Sequence, residues 1–294
     1  MKITDIREAT ASIGSSISNA YVDFSQMTIS VVAVESDIMR NGRPVTGYGF
    51  SSNGRYAQGG ILRERLIPRI RAAAPQALLN DAGDNFDPRK IRTVMLTNEK
   101  PGGHGDRAFA AAALDMAIWD LMAKLAEQPL WRFLSDHYNA GAYDEQVLVY
   151  PGGGYYNPGK GLDGLQDEMR GYLDQGYKAV KMKIGAASLD EDMARIEAVM
   201  EVTGSGGDLA VDANGRFDLE TALIYGKAMA PFDLFWFEEP GDPLDFALNA
   251  ELAQAYPAAI ATGENLFSLQ DARNLMLHAG MRADRDWIQL DPAL

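Results

Sequence analysis

The sequence predicts an α/β protein in two parts, an α+β domain over residues 1–140 and an incomplete (β/α) barrel over residues 141–294. Three observations carry this reading. Residues 1–55 alternate and branch like strands, and helical periodicity takes over from about residue 60. Six short apolar runs then alternate with helical segments, the texture of a parallel sheet covered on both faces. Within that second part four acids, Asp212, Glu238, Glu264 and Asp291, recur at steps of 26, 26 and 27 residues, each closing an apolar run. A strand–helix–strand period of that length puts the recurring position at the carboxyl ends of successive strands, the rim on which barrel enzymes carry their chemistry.

Taken in order, ISVVAVES (29–36) and VTGYGF (45–50) read as strands separated by Gly-rich turns. ILRERLIPRIRAAA is helical, with Pro68 marking a break or a start, because proline lacks an N–H and clashes with the preceding turn. DPRKIRTVMLTNE (87–99) opens a helix with Asp87 as N-cap and Pro88 at the first helical position. DRAFAAAALDMAIWDLMAKLAEQ (106–128) is a long apolar helix ended by Pro129, and a polar stretch over 136–146 follows. The six strands of the second part are QVLVYPGGG, KAVKMKIG, DLAVDAN, LFWFEEP, AIATGEN and DWIQLD. Helical segments such as GLQDEMRGYLDQG and LDEDMARIEAVMEV separate them.

An eight-fold barrel takes about 250 residues, so one that begins near residue 145 would extend well past Leu294. Two strands and their helices are therefore expected to lie outside this sequence, leaving strands one and six with open edges. With 294 residues, 47% of them hydrophobic, the chain can bury a large core. Its net charge of −14 argues against nucleic acid and anionic membrane surfaces as partners. The absence of Cys removes disulfides, thiolate catalysis and Cys-ligated zinc. No apolar stretch approaches the roughly 20 residues of a membrane span, and MKITDIREAT lacks the apolar core of a signal peptide. A cytoplasmic protein without nucleic-acid or membrane partners is the expectation.

Carboxylates at Asp212, Glu238 and Glu264 converging on one rim would repel one another unless a cation sat between them, and oxygen ligands suit a hard ion such as Mg²⁺. Alternation in VKMKI places Lys181 and Lys183 on one face of their strand. Two buried ammonium groups beside a metal would have lowered pKa values, which suits a general base. Helix capping accounts for any single strand-end acid, but not for matching positions on adjacent strands. Glu238 and Glu239 are expected to point opposite ways, so that only one faces the site, and Asn214 adds an amide two residues after Asp212. His104, His137 and His278 do not end barrel strands and read as structural or surface residues.

Taken together, KMK, DAN, EEP, GEN and Asp291 on successive strands resemble the enolase superfamily, and within it the acid-sugar dehydratases of the mandelate racemase subgroup. Residues 1–140 are similar to the superfamily's α+β capping domain, so the resemblance spans essentially the whole chain. It implies Mg²⁺ held by Asp212, Glu238 and Glu264, with Lys183 as the base. Lys181 would support that base or contact the substrate carboxylate. Asp291 would orient a histidine acid from strand seven, beyond this sequence. A Lys or His base with Mg²⁺ stabilising an enediolate is the superfamily's own chemistry and is not read from spacing.

The segments NGRYAQGG (53–60), NEKPGGHGDR (98–107), GGGYYNPGKG (152–161) and TGENLFSLQDARNL (262–275) resemble the tartrate-dehydrating members. They imply substrate contacts from Asn53 and Lys100, positions that otherwise read as a tight turn and a helix-terminating loop. The resemblance thus implies a Mg²⁺-dependent dehydratase of a small hydroxy-diacid or acid sugar, with tartrate to oxaloacetate as the specific reaction, in a homo-oligomer. Racemisation or epimerisation through the same intermediate is the alternative among enzymes. An inactive truncated chain or a metal-binding partner subunit is the alternative outside them. A Schiff-base aldolase barrel would not need the carboxylates. Asp291, where cycloisomerase-type members carry a second lysine, favours the dehydratase arrangement.

Overall fold

A computed structural model describes residues 1–54, 56–102 and 105–293, without the side chains of 52–54. The chain divides into two compact units, one of Met1–Gly14, Ser25–Gln146 and Pro292–Leu294, the other of Ser15–Phe24 and Val147–Asp291.

The first unit is built on an antiparallel sheet of β1 (Ile3–Ser12), β2 (Thr28–Arg40) and β3 (Arg43–Gly54), paired in that order. Val32 and Val34 of β2 are buried while Val31 is exposed, the period-two pattern of a sheet covered on one face. Four helices precede the one unforeseen in the sequence. They are α1 (Ala57–Ile61), α2 (Ile67–Ala72), α3 (Pro88–Met95) and α4 (Gly105–Leu125). Pro68 lies in the first turn of α2, the start the sequence allowed, and a π turn over Leu62–Leu66 joins α1 to α2. Asp87 caps α3 as expected, its Oδ1 accepting from the amides of Arg89 (2.9 Å) and Lys90 (3.1 Å). Pro129 ends the long helix and serves as N-cap of α5 (Leu130–Tyr138).

Ala110, Ala113, Leu114, Ala117, Ile118 and Leu121 form the buried stripe of α4. Two glycines of β3 let this helix approach the sheet. A Cβ on Gly47 would lie 2.1 Å from the Ala117 carbonyl oxygen, and one on Gly49 would lie 2.1 Å from that of Ala113. Close backbone approach, not a turn, is what glycine provides at both positions.

The second unit is a six-stranded parallel sheet. It comprises β4 (Gly152–Gly153), β5 (Val180–Lys183), β6 (Leu209–Asp212), β7 (Trp236–Glu238), β8 (Ile260–Thr262) and β9 (Trp287–Ile288), in chain order across the sheet. Between them run α6 (Gly161–Asp174), α7 (Leu189–Thr203), α8 (Leu219–Met229), α9 (Phe246–Ala255) and α10 (Leu269–His278). Ser188, Asp218, Asp245 and Ser268 each cap the helix that follows, so every loop from β5 to β8 ends on a short polar acceptor. This is an α/β fold, with a cap-like α+β unit and a barrel-like parallel sheet.

Register sorts the strand residues onto two faces. Met182, Val211, Phe237 and Ile260 pair in sequence and pack against Leu165, Ile196, Leu252 and their neighbours on the helices. The opposite face carries Lys181 level with Ala210 and Trp236, and Lys183 level with Asp212, Glu238 and Ala261. The first strand is shorter than QVLVYPGGG suggests. Only Gly152 and Gly153 pair, and Val147, Leu148 and Val149 are 72%, 63% and 57% exposed. Pro151 has no N–H to donate to a ladder, and its carbonyl alone accepts from the Lys181 amide (2.9 Å). Among the described residues no helix is long and apolar enough to cross a membrane.

Gly47→Ala should therefore cost about 2 kcal/mol or more by forcing α4 off the sheet. Gly60→Ala, in open space, should be neutral or slightly stabilising. Urea denaturation of both variants checks this.

A second expectation concerns Glu99 in the same unit. It meets Arg65, Arg69 (2.7 Å) and Arg107 (3.1 Å). Burial works against its charge, but the three guanidinium groups outweigh that and bring its carboxyl down to about 2. A folded pKa below the unfolded one stabilises above the unfolded value of about 4.3, and the gain disappears as pH falls toward 2. Glu99→Gln should cost on the order of 1–3 kcal/mol at pH 7. The gap from wild type should close between about pH 4.5 and 2 when chemical denaturation is repeated in acid.

Candidate active site

Three short strands supply the centre of the site. Lys183, Asp212 and Glu238 are the last residues of β5, β6 and β7 and pair level with one another, so their side chains leave the same face. Asp212 and Glu238 are both 0% exposed. Lys183 Nζ donates to Asp212 Oδ2 (2.5 Å). Lys181 Nζ lies 3.2 Å from the same oxygen and also donates to Glu238 Oε1. Trp236 Nε1 donates to Glu238 Oε2 (2.8 Å), and the Asn214 amide donates to Asp212 Oδ1 (2.8 Å). Tyr150 and Tyr155 present ring faces to the two ammonium groups, at 5.8 Å from Lys181 Nζ and 5.6 Å from Lys183 Nζ.

Equal sequence steps do not give equal register. Glu238 lies level with Asp212, but its partner on β8 is Ala261, three residues before Glu264. Glu264 therefore falls two residues beyond the strand, and Asp291, exposed, falls three residues beyond β9. Among the described residues no three His, Cys, Asp or Glu side chains gather into a group that would hold an ion as they stand. The structure brings Asp212 and Glu238 together around the Lys181 ammonium, with Glu264 beyond the end of β8 yet in electrostatic reach of Asp212 and both lysines.

Glu239 corrects the simple alternation argument. Its backbone is left-handed (φ 41°), so the side chain does not continue the strand's outward alternation. Asn265 Nδ2 donates to its Oε1 (2.5 Å), while Oε2 is buried without a hydrogen-bond partner. Burial, Glu264 and Asp212 together raise the Glu239 carboxyl to about 8. Burial and Asp212, opposed by Lys181, bring Glu238 up to about 7. Glu264 is raised by burial and by Asp212 against the pull of both lysines. Despite complete burial, Lys183 and Lys181 hold the Asp212 carboxyl below the usual range.

Lys181 departs from the lowered pKa that its lysine neighbour suggests. Burial works against its charge, yet Asp212 and Glu238 outweigh burial and raise the ammonium. Nearby carboxylates, not the second lysine, dominate.

The remaining expected residues are more scattered. Lys100 is exposed in the first unit, and its carbonyl accepts from Arg107 Nη1 (2.8 Å). The Asn53 side chain and His104 lie outside what the structure describes. His137 Nδ1 is 2.8 Å from the Phe133 carbonyl within α5, and His278 ends α10. Trp236 and Asn265 were not singled out by the sequence. For Trp236 a signal was present, since it sits two residues before Glu238 and so shares its face.

Whether Mg²⁺ suits these residues follows from the donors themselves. Four carboxylates, Asp212, Glu238, Glu239 and Glu264, interact electrostatically here with only two ammonium groups. Asn214 Oδ1 and Glu239 Oε2 are buried oxygens without a hydrogen-bond partner. An all-oxygen set with surplus negative charge fits a hard divalent cation.

Comparison with known proteins agrees with this fold. Residues 44–135 match the N-terminal domain of mandelate racemase/muconate lactonizing enzyme, and residues 164–293 match the enolase C-terminal domain-like family. The chain belongs to the enolase superfamily, in its mandelate racemase/muconate lactonizing enzyme family. It is 38% identical over 173 residues to 3,6-anhydro-alpha-L-galactonate cycloisomerase of Streptomyces coelicolor, covering 59% of this chain and 45% of the relative. It is 34% identical to L-talarate/galactarate dehydratase of Salmonella typhimurium, covering 86% of this chain and 60% of the relative.

The chain thus spans roughly half the length of these curated relatives. That Salmonella enzyme, solved with Mg and L-lyxarohydroxamate, superposes with a TM-score of 0.76 at 29% identity, covering 98% of this chain and 70% of that one. A Streptomyces coelicolor A3(2) racemase with bound magnesium superposes with a TM-score of 0.77 at 28% identity, covering 95% and 74%.

The raised acids set a pH dependence. A carboxyl whose folded pKa exceeds its unfolded one stabilises below the unfolded value of about 4.3, and that contribution is lost as pH rises through the folded value. For Glu238 and Glu239 the loss runs up through about 7 and about 8. Without divalent cations the melting temperature should fall from about pH 4.5 to about pH 8 and level off above that. Glu239→Gln should flatten that fall, as differential scanning fluorimetry across the pH range will show.

Proposed function

We propose that this protein dehydrates a hydroxy-diacid or acid sugar, with Mg²⁺ as cofactor and Lys183 as the base. The observation that carries the reading is the level placement of Lys183, Asp212 and Glu238 on three adjacent strand ends, in a cluster where buried carboxylates outnumber lysines. Asp212, Glu238 and Glu264 are the residues that would hold the ion. When bound, Mg²⁺ supplies positive charge to offset the anion that grows as the proton beside a substrate carboxylate is lost.

The chain's own residues do the rest. Lys183, fixed against Asp212, takes the α-proton. Lys181 remains an ammonium among the carboxylates and orients the substrate carboxylate by charge. Trp236 and Asn214 hold the Glu238 and Asp212 carboxylates in place. The β-hydroxyl leaves as water on receiving a proton from a general acid, and the resulting enol becomes a 2-keto acid. By family resemblance, that acid is a histidine oriented by Asp291.

The dehydratase relative supports the reaction class, and the cap and loop segments around Asn53 and Lys100 support tartrate, converted to oxaloacetate, as the substrate.

The test is a substrate panel. The full-length protein with Mg²⁺ would be offered tartrate, galactarate, glucarate and arabinonate, and 2-keto acid would be measured by semicarbazide trapping. Keto-acid formation from at least one diacid is expected. Epimerised substrate without keto acid would instead favour the racemase reading. Lys183→Ala should reduce kcat by at least about 10³-fold, whereas Lys181→Ala should lose less. Removal of divalent cations should abolish turnover, and Mg²⁺ should restore it while raising the melting temperature most above pH 7.

A further inference from the structure

The end of β5 is held from outside the acid cluster by one ion pair in the first turn of α7. Asp192 is 0% exposed, and its carboxylate is saturated. Oδ1 accepts from Tyr156 Oη (2.6 Å) and Arg195 Nη1 (3.0 Å), and Oδ2 accepts from the Gly185 amide (2.7 Å) and Tyr225 Oη (3.1 Å). Arg195 also reaches the backbone at the ends of β4 and β5. Nη1 donates to the Lys183 carbonyl (2.9 Å) and Nη2 to the Gly154 carbonyl (2.5 Å), while the guanidinium stacks 4.0 Å from the Tyr156 ring centroid.

This arrangement acts on the proposed base. The Ile184 amide is held by the Asp212 carbonyl (2.9 Å), so the peptide groups that follow Lys183 are fixed on one side by β6 and on the other by the ion pair. The same guanidinium ties down Gly154, next to the Tyr155 whose ring faces Lys183 Nζ. Behind that loop lies a cavity of about 470 Å³ lined by Tyr155, Tyr156, Leu165, Ala194 and Arg195 among others. Beside that cavity the polar contacts, rather than packing, tie the loop down.

We infer that Asp192 and Arg195 are positioning residues, which set the Lys183 side-chain nitrogen and the Tyr155 ring relative to the acids without touching substrate. The inference rests on the reading of Lys183 as the base. The planar fork of Arg195 reaches two carbonyls and a carboxylate at once, which a lysine cannot do. Misplacing a base by about 1 Å costs on the order of 10²-fold in rate.

The test uses full-length protein carrying Arg195→Lys, Asp192→Asn or Tyr156→Phe, the last removing a single donor to Asp192. Three quantities are compared with wild type: kcat and KM on the best substrate of the panel above, Mg²⁺ affinity by calorimetry without substrate, and amide hydrogen exchange at Gly185. The expected result for Arg195→Lys and Asp192→Asn is a drop in kcat of about 10–100-fold, with KM and Mg²⁺ affinity within about twofold. Gly185 exchange should rise about tenfold or more while the rest of the sheet stays protected. Tyr156→Phe should move the same quantities in the same direction by less.

Unchanged kcat despite faster Gly185 exchange would overturn the inference, as would parallel loss of kcat, Mg²⁺ affinity and global protection. If a stronger variant fails to fold, Tyr156→Phe decides by the same criteria. Wild-type protein inert on the whole panel overturns the dehydratase reading and, with it, the positioning role. Slow Gly185 exchange that still depends on Asp192 would then mark the pair as structural only.

Discussion

The second unit depends on how charge is balanced on one face of a buried parallel sheet. Lys181, Lys183, Asp212 and Glu238 share that face, and every one of them has a partner of opposite sign within hydrogen-bond reach. Isolated, any of these charges would be strongly disfavoured in a low-dielectric interior. Paired, they keep the centre polar, while the apolar side chains one residue away cover the helix side. The balance is incomplete, because Glu239 and Glu264 add negative charge that the two lysines do not match. The surplus appears as raised carboxyl groups, and it is the physical basis for assigning a cation to this rim.

Strand length is the second constraint. Strands of two to four residues place their final residue and the following loop within a few ångströms of the same rim, so a small change in backbone direction decides which side chain enters the site. Asn214 and Glu239 both adopt left-handed backbone just after their strands, conformations that cost energy for residues other than glycine and that cluster at functional sites. At Glu239 that turn leaves a buried carboxylate held by Asn265 and raised by its acidic neighbours. The positions after each strand, rather than the strands themselves, give the site its asymmetry.

The capping of α7 shows how the scaffold and the chemistry share residues. Ser188 closes a capping box at the start of this helix and Asp192 lies one turn further in, so the helix that covers β5 also fixes its end. In the first unit the analogous economy is glycine. Gly47 and Gly49 remove two side chains from β3, and α4 descends onto the backbone in their place.

The sequence by itself determined the order and type of most elements, the helix cap at Asp87, and the family. These features are local or periodic, and physical chemistry acts on them through neighbours three or four residues away. It also placed Lys183, Asp212 and Glu238 on one rim, because a strand–helix–strand unit of nearly constant length repeats its register.

Tertiary structure alone decided the rest. Glu264 shares the 26-residue step but not the level, since loop length, not residue count, sets where β8 pairs. Of the two readings of Pro68, a break or a start, the fold chose the start of α2, joined to α1 by a π turn. The sign of the Lys181 shift follows from the number of carboxylates around it, a sum over three strands. Asp192 and Arg195 read as ordinary helix-surface charges until folding brings two strand ends to them, and no spacing in a linear chain records that meeting.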